Sequence, residues 1–170
     1  MAEIFITSDT HFAHFNCATL WRGFKSIEEH DSTIVENWNA IVAKKDVVWH
    51  LGDVLMRGDG FDILPQLNGI KHLVLGNHEK ENVHRYFPYF HKIVSTKVLK
   101  DMFVLSHAPL HEFNLVYKWK RPNVHGHLHK TAEHFKDLGN NYINMNTELH
   151  GYEPVHIDMV ASLLHVKQCD

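Results

Sequence analysis

Asp9 and His11 in "SDTH", Asp53 in "GDV", Asn77 and His78 in "GNHE", His107 in "SHAP", and His127 and His129 in "HGHLH" are the side chains of this sequence best equipped for chemistry. They are carboxylates, an amide and imidazoles, with no cysteine among them. A mixed nitrogen and oxygen donor set of this kind suits manganese, iron, zinc or nickel, and does not suit copper(I) or iron–sulfur chemistry. The lack of thiolates also argues against a purely structural zinc site. There are too many candidate donors for one metal with an open position. They suit two cations sharing a bridging carboxylate, a pair roughly 3.5–4 Å apart that clamps a phosphoryl group and generates a hydroxide nucleophile.

These residues recur at the ends of apolar runs. Residues 4–7 form a short buried strand ending at Ser8 and Asp9; "DVVWHL" is a second strand, ending at Gly52 and Asp53; "KHLVL" is a third, ending at Gly76, Asn77 and His78. Residues 27–42 keep a helical spacing of Ile27, Ile34, Val35, Trp38, Ile41 and Val42. "HKIVSTKVL" and "MFVLSH" flank Lys100 and Asp101 as a hairpin whose second strand ends at His107. "NVHGHLH" and "NYINMN" read as further short strands, and residues 155–166 as a closing helix. In pleated backbone alternate side chains share a face, so His127 and His129 could aim at one point, with His125 between them and the earlier strand. Histidine is also abundant, 17 in 170 residues, so crowding alone is a competing explanation. Alternation of strand and helix implies an α/β layered fold, in which ligands bind beyond the carboxyl ends of the strands.

Length and a 44% hydrophobic content fit one domain, residues 1–170, with a proper core. A net charge of -3 and the lack of a long basic run predict no stable nucleic-acid binding and leave a small phosphorylated substrate as the natural partner. Cys17 and Cys169 are isolated and read as free thiols. The N-terminus leads directly into a strand and no apolar run reaches membrane-spanning length, so a soluble, cytoplasmic protein with no membrane partner is expected. Oligomeric state leaves no mark in the pattern.

"SDTH", "GDV", "GNHE", "SHAP" and "HGHLH", in that order over residues 8–129, resemble the sequence blocks of the calcineurin-like metallophosphoesterase superfamily. Each block alone is weak; the ordered set is specific. The resemblance implies an α-β-β-α sandwich of two mixed sheets flanked by helices, with the metal site at the strand C-termini. It implies that Asp9, His11 and His129 hold one metal, that Asn77, His107 and His127 hold the other, and that Asp53 bridges them. Manganese is the best match, with iron, zinc or nickel as alternatives. His78 would donate a proton to the leaving oxygen, work that imidazole chemistry suits. His127 and His129 would then reach different metals, Gly126 would let the backbone pass close to the site, and His125 would be structural.

Further residues ride on the same resemblance. His14 and Asn16 match a D-x-H-F-x-H-x-N pattern of one small subgroup and are candidate substrate contacts. Arg57 in "GDVLMRG" matches a phosphate-gripping arginine of the protein phosphatases, although Met56 replaces their second aspartate and Leu75 replaces an arginine before "GNHE", which disfavours protein substrates. His50 is either a supporting partner of the site or packing. Trp21, Phe24 and Trp119 could overhang the site and stack on a nucleobase. Asn144, Asn146 and Glu148 resemble a closing segment without an assigned role. His30, His72, His84, His91, His134, His150, His156 and His165 are read as surface or core residues. The leading expectation is a two-metal hydrolase of small phosphomonoesters or phosphodiesters, nucleotides included. Its rivals are a non-catalytic scaffold on the same fold and a protein phosphatase.

Overall fold

Alternation within the first apolar run sends Phe5 to one side and Ile4 and Ile6 to the other, and this run forms strand β1 (Ile4–Thr7). The computed structural model describes residues 1–56, 59–79, 82–130 and 138–168, with the backbone alone for 165–168. β1 pairs in parallel with β2 (Val47–His50), β2 with β3 (Ile70–Val74), and β3 with β4 (Lys92–Val94), as their apolar, β-branched content favours. The second sheet is β5 (Lys97–Leu99), β6 (Phe103–Leu105), β7 (Asn123–His125) and β8 (Tyr142–Asn144), in that order, with only the first pair antiparallel. β9 (Val155–His156) completes the first sheet antiparallel to β1.

Helix α1 (Ile27–Ile41) begins where Ser26 Oγ accepts the Glu29 N–H at 3.2 Å and ends where Val42 turns extended. Its buried stripe of Ile34 and Trp38 packs with Phe5, Val48 and Leu73 on the outer face of the first sheet. The inner faces meet through Ile6, Trp49 and Val74 against Leu99, Phe103, Leu105, Val124 and Ile143, and helix α2 (Ile157–Gln168) adds Ile157, Val160 and Leu164 to the same cluster. A π-helical segment, Asn114–Trp119, covers the far face with Leu115 and Trp119 against Val104 and Tyr142. Two mixed sheets flanked by helical elements are thus the expected layered sandwich.

Two elements differ from their sequence pattern. "HKIVSTKVL" is not one hairpin strand: it breaks at Ser95 and Thr96, with β4 in the first sheet and β5 in the second, because each half finds a different parallel or antiparallel neighbour. The closing helix starts at Ile157, since Val155 and His156 are taken by pairing with Ile6 and Phe5. Among the described residues no helix is long and apolar enough to cross a membrane.

What matters for the site is the edge at which the parallel strands stop. Pairing continues past it: Asp9 N–H donates to Gly52 O at 3.0 Å, His11 N–H to Asp53 O at 3.1 Å, and Phe12 N–H to Val54 O at 2.9 Å. A bridge between Ser8 and Asn146 stitches the second sheet to the same edge, and Thr147 N–H donates to Ser8 O at 3.0 Å. The inter-sheet cluster holds that edge rigid. Leu105→Ala, at a fully buried position, should lower unfolding free energy by about 2–5 kcal/mol in a urea titration with little change in slope. Met159→Ala, at a position 60% exposed, should change it by less than about 0.5 kcal/mol. Equal losses would show that the inter-sheet contacts are not the core.

Candidate metal centre

The turns after β1, β2 and β7 are built from residues in left-handed backbone: Asp9 (φ 57), His11 (φ 48), Asp53 (φ 54) and His127 (φ 68). Such conformations cost on the order of 1–3 kcal/mol each and concentrate at functional sites; Asp and His tolerate them better than most. The strain curls each strand end so that its side chain turns back over the sheet edge. His125 stays in β7, buried and directed away, whereas His127 and His129 lie beyond the strand. Pleated alternation is therefore not what aims them, and the left-handed turn at His127 sends the two rings to different neighbours.

Both carboxylates are fixed by one oxygen. Asp9 Oδ2 accepts the His127 N–H at 2.9 Å and Asp53 Oδ1 accepts the His78 N–H at 3.1 Å. The other oxygens face the imidazoles. His11 Nε2 lies 3.9 Å from Asp9 Oδ1, 3.9 Å from Asp53 Oδ2 and 3.3 Å from His129 Nε2. His107 Nε2 lies 3.4 Å from the same Asp53 Oδ2, 2.8 Å from Asn77 Oδ1 and 3.1 Å from His127 Nδ1. With ligand bonds of about 2.1 Å, adjacent donors around one cation sit about 3 Å apart and opposed ones about 4 Å apart. The two groups match that spacing and share one oxygen. Among the described residues Asp9 Oδ1 is buried without a hydrogen-bond partner, an arrangement that a cation satisfies and a neutral environment does not. The residues present thus fit a metal pair.

Glycines make the approach feasible. A Cβ on Gly126 would collide with Ser8 Oγ and Asp9 Oδ2, and one on Gly76 with Asp53 Oδ1. Gly52, at φ +100, would bring a Cβ 2.6 Å from Gly76 N.

Supporting contacts set the protons. His107 Nδ1 donates to Leu51 O at 2.8 Å, which turns Nε2 toward the cluster. Burial alone would lower His107, but the hydrogen bond and charge of Asp53, with the charge of Asp9, raise it to about 9. Burial raises Asp9 above the usual carboxylate range, and it lowers His11 and His127. Burial pushes Asp53 up too, yet the hydrogen bond and charge of His107 and the charge of His11 outweigh it and hold the carboxylate below its usual range. A cationic guest would favour the deprotonated form of every one of these groups. His50 is a supporting residue: Gly52 N–H donates to its Nδ1 at 3.2 Å, its Nε2 meets Thr10 Oγ1 at 3.0 Å, and Thr10 donates on to Val54 O at 3.0 Å. Burial lowers it to about 3, so it ties the first two turns together as a neutral ring.

Two residues that sequence reasoning passed over do similar work. Glu79 is fully buried and accepts the N–H groups of Asp53 at 3.0 Å, Val54 at 2.8 Å and Gly76 at 2.8 Å, clasping two turns together; burial and the nearby Asp53 charge raise it to about 7. Arg22 has a fully buried guanidinium that donates to Asp9 O at 2.6 Å, Thr10 O at 3.1 Å and Glu148 Oε2 at 3.2 Å. Glu148 Oε1 then lies 3.4 Å from His129 Nδ1, and Asn146 Nδ2 lies 3.2 Å from it, so the closing segment orients His129. Asn144 reinforces it by donating to Leu128 O and accepting the Asn146 N–H. "GNHE" carries the only advance signal for Glu79. Arg22 has none, its carboxylate partner lying far along the chain.

The remaining candidates divide. His78 brings Nε2 to 3.6 Å from Asp53 Oδ2 and its ring to 5.5 Å from that of His11, close enough that His11, Asp53 and His78 form a further donor group. His14 lies 5.8 Å from the His11 ring, and Trp21 lies 5.4 Å from His14 and 6.1 Å from His129, so Trp21 does overhang the cluster; Asn16 lines the same cavity. Phe24 does not, because it packs edge-on against His30 and Tyr152. Trp119 does not either, since it belongs to the outer face of the second sheet. Arg57 and His134 lie outside the described residues.

Comparison with known proteins agrees with this architecture. The chain is 31% identical to an uncharacterized protein of Methanocaldococcus jannaschii over 96% of this chain and 92% of the relative. A crystal structure of an Aquifex aeolicus protein of unknown function superposes with a TM-score of 0.78 at 26% identity, covering 96% of this chain and all of that one. Pseudomonas putida nuclease MPE shares the fold, with a TM-score of 0.50 at 18% identity over 74% of this chain and 60% of its own. The family model for calcineurin-like phosphoesterases matches residues 2–165. By that match and by the ordered donor-bearing turns at its sheet edge, the chain belongs to the calcineurin-like phosphoesterase family.

Proposed function

We propose that this protein is a hydrolase of small phosphoesters, nucleotides among them, that works with two divalent cations, manganese being the best match to its donors. The observation that carries the reading is Asp53 Oδ2, which faces both His11 Nε2 at 3.9 Å and His107 Nε2 at 3.4 Å and so belongs to both donor groups. Asp9, His11, His129 and Asp53 would hold one cation, and Asp53, Asn77, His107 and His127 the other. When bound, such a pair supplies Lewis acidity toward the phosphoryl group and activates water.

The protein's own residues do the rest. Asp53 and Asp9 are locked by backbone N–H groups, so the array is preorganised before substrate arrives. His78 is partly exposed beside the array, where its Nε2 can hand a proton to the departing oxygen. His14 is suited to contact the phosphate or its substituent, and Arg57 to grip the phosphate. A scaffold role would need none of these donors and would leave the unpaired Asp9 Oδ1 as a standing cost. Leu75, where protein phosphatases carry arginine, favours small molecules over protein substrates.

Protein stripped with chelator should lose hydrolysis of aryl phosphoesters, and manganese should restore it better than magnesium, because imidazole donors outnumber carboxylates. Asp53→Asn should lose most activity and at least one metal equivalent by elemental analysis. Two retained metals with a near-normal rate would remove Asp53 from the bridge.

His78→Ala should keep the metal content and slow turnover by roughly 10²–10⁴-fold for poor leaving groups, with the loss shrinking as the leaving group becomes more acidic. The comparison is kcat/KM across aryl and alkyl esters. A uniform loss would indicate phosphate binding, and a lost metal would make His78 a ligand.

A further inference from the structure

One guanidinium gathers every segment that carries an unshared donor of the first cation group. The Arg22 side chain is fully buried, and each of its five N–H donors has an acceptor. Nη1 donates to Thr10 O at 3.1 Å and His30 Nε2 at 2.9 Å, Nη2 to Asp9 O at 2.6 Å and Asn146 Oδ1 at 3.4 Å, and Nε to Glu148 Oε2 at 3.2 Å. His30 accepts at Nε2, so its hydrogen is on Nδ1 and is donated to Asp31 Oδ1 at 2.7 Å; Asp31 Oδ2 accepts the Ala13 N–H at 2.9 Å. The network thus reaches Asp9 directly, the turn around His11 from both sides, and His129 through Glu148 Oε1, 3.4 Å from His129 Nδ1. Among the described residues it does not extend to the second group, whose His107 is held by the Leu51 carbonyl. Resting on the two-cation reading above, we propose that the buried Arg22–Glu148 pair positions His129 for ligation, and so sets the affinity of the first cation site and not of the second.

His129 faces the array with Nε2, so it can ligate there only with its hydrogen on Nδ1. Two polar neighbours of Nδ1 call for opposite arrangements. Glu148 Oε1 accepts a hydrogen from it, whereas Asn146 Nδ2, at 3.2 Å, donates to a bare nitrogen. The Asn146 amide is not free to turn over, because its Oδ1 already accepts from Arg22 Nη2 and from the Glu148 N–H. The Glu148 carboxylate therefore decides the matter. Its two oxygens both accept, Oε2 from Arg22 and Oε1 from the Lys130 N–H and from His129. A glutamine in its place would turn an N–H toward one of those donors. Lysine could not replace Arg22 either, since it has three donors and no planar fork with which to reach five acceptors.

The test is isothermal titration of the metal-free protein with manganese, with thermal unfolding alongside. The unaltered protein should take up two equivalents. Glu148→Gln should weaken one of them about 10–100-fold, the usual cost of losing the partner behind a ligating histidine, and leave the other as it was. Its Tm should fall, because Arg22 loses its counter-charge, so the deciding readout is which equivalent weakens. Glu148→Asp keeps that charge but draws the oxygen back from Nδ1, and carries the same expectation at a Tm nearer the original. In a His127→Ala background Glu148→Gln should weaken the remaining tight equivalent, and in a His11→Ala background it should leave that equivalent unchanged. Asn146→Asp, which puts an accepting oxygen beside Nδ1, should restore most of the affinity lost in Glu148→Gln. Equal weakening of both equivalents, unchanged affinity, a loss confined to the His107 side, or a loss that Asn146→Asp does not repair overturns the inference. If the unaltered protein takes up fewer than two equivalents, the two-cation reading itself fails.

Discussion

One carboxylate oxygen, Asp53 Oδ2, lies where two groups of imidazoles converge, and the rest of the structure keeps it there. Asp53 sits in left-handed backbone after β2, its other oxygen accepts the His78 N–H, and its own N–H is clasped by Glu79. Glu79 also holds Gly76, so the turns after β2 and β3 move as a unit. Displacing that oxygen would remove the one donor atom that, among the described residues, faces both groups.

The energetic character of the site follows from burial. Asp9, Asp53, His11 and His107 are nearly or fully removed from solvent, and facing imidazole nitrogens approach within 3.1–3.3 Å. An array of this kind is costly without a counter-charge, since its imidazole nitrogens face one another and Asp9 Oδ1 has no hydrogen-bond partner among the described residues. The fold supports the array from behind: His50, a neutral ring, bridges the first two turns through Thr10, and the Arg22 guanidinium, paired with the Glu148 carboxylate, gathers the Asp9 and Thr10 carbonyls. Rigidity is obtained from packing of the two sheets behind the edge, and the strain in the turns is stored where chemistry needs it.

Much of this is legible in the sequence, for a physical reason. Buried parallel strands are short apolar runs, and polar residues collected at their ends stand out against them, which is how Asp9, Asp53, Asn77, His107 and the "HGHLH" histidines are found. Local pattern fails where the decisive partner is remote. Arg22 is an ordinary arginine until Glu148 arrives beside it, Glu79 acts through backbone N–H groups of other turns, and Phe24 and Trp119 reveal only in three dimensions that they pack elsewhere. The break at Ser95 and Thr96 is invisible because both halves of the run are good strand sequence. The separation of His127 from His129 depends on a left-handed turn that the residue types permit without demanding.

The most direct measurement is the anomalous difference density of crystals soaked with manganese. Two peaks roughly 3.5–4 Å apart with the Asp53 carboxylate between them, one peak contacting His11 and His129 and the other His107 and His127, are the expected result. A single peak, or a pair that Asp53 does not bridge, would contradict the shared-carboxylate centre on which the function rests.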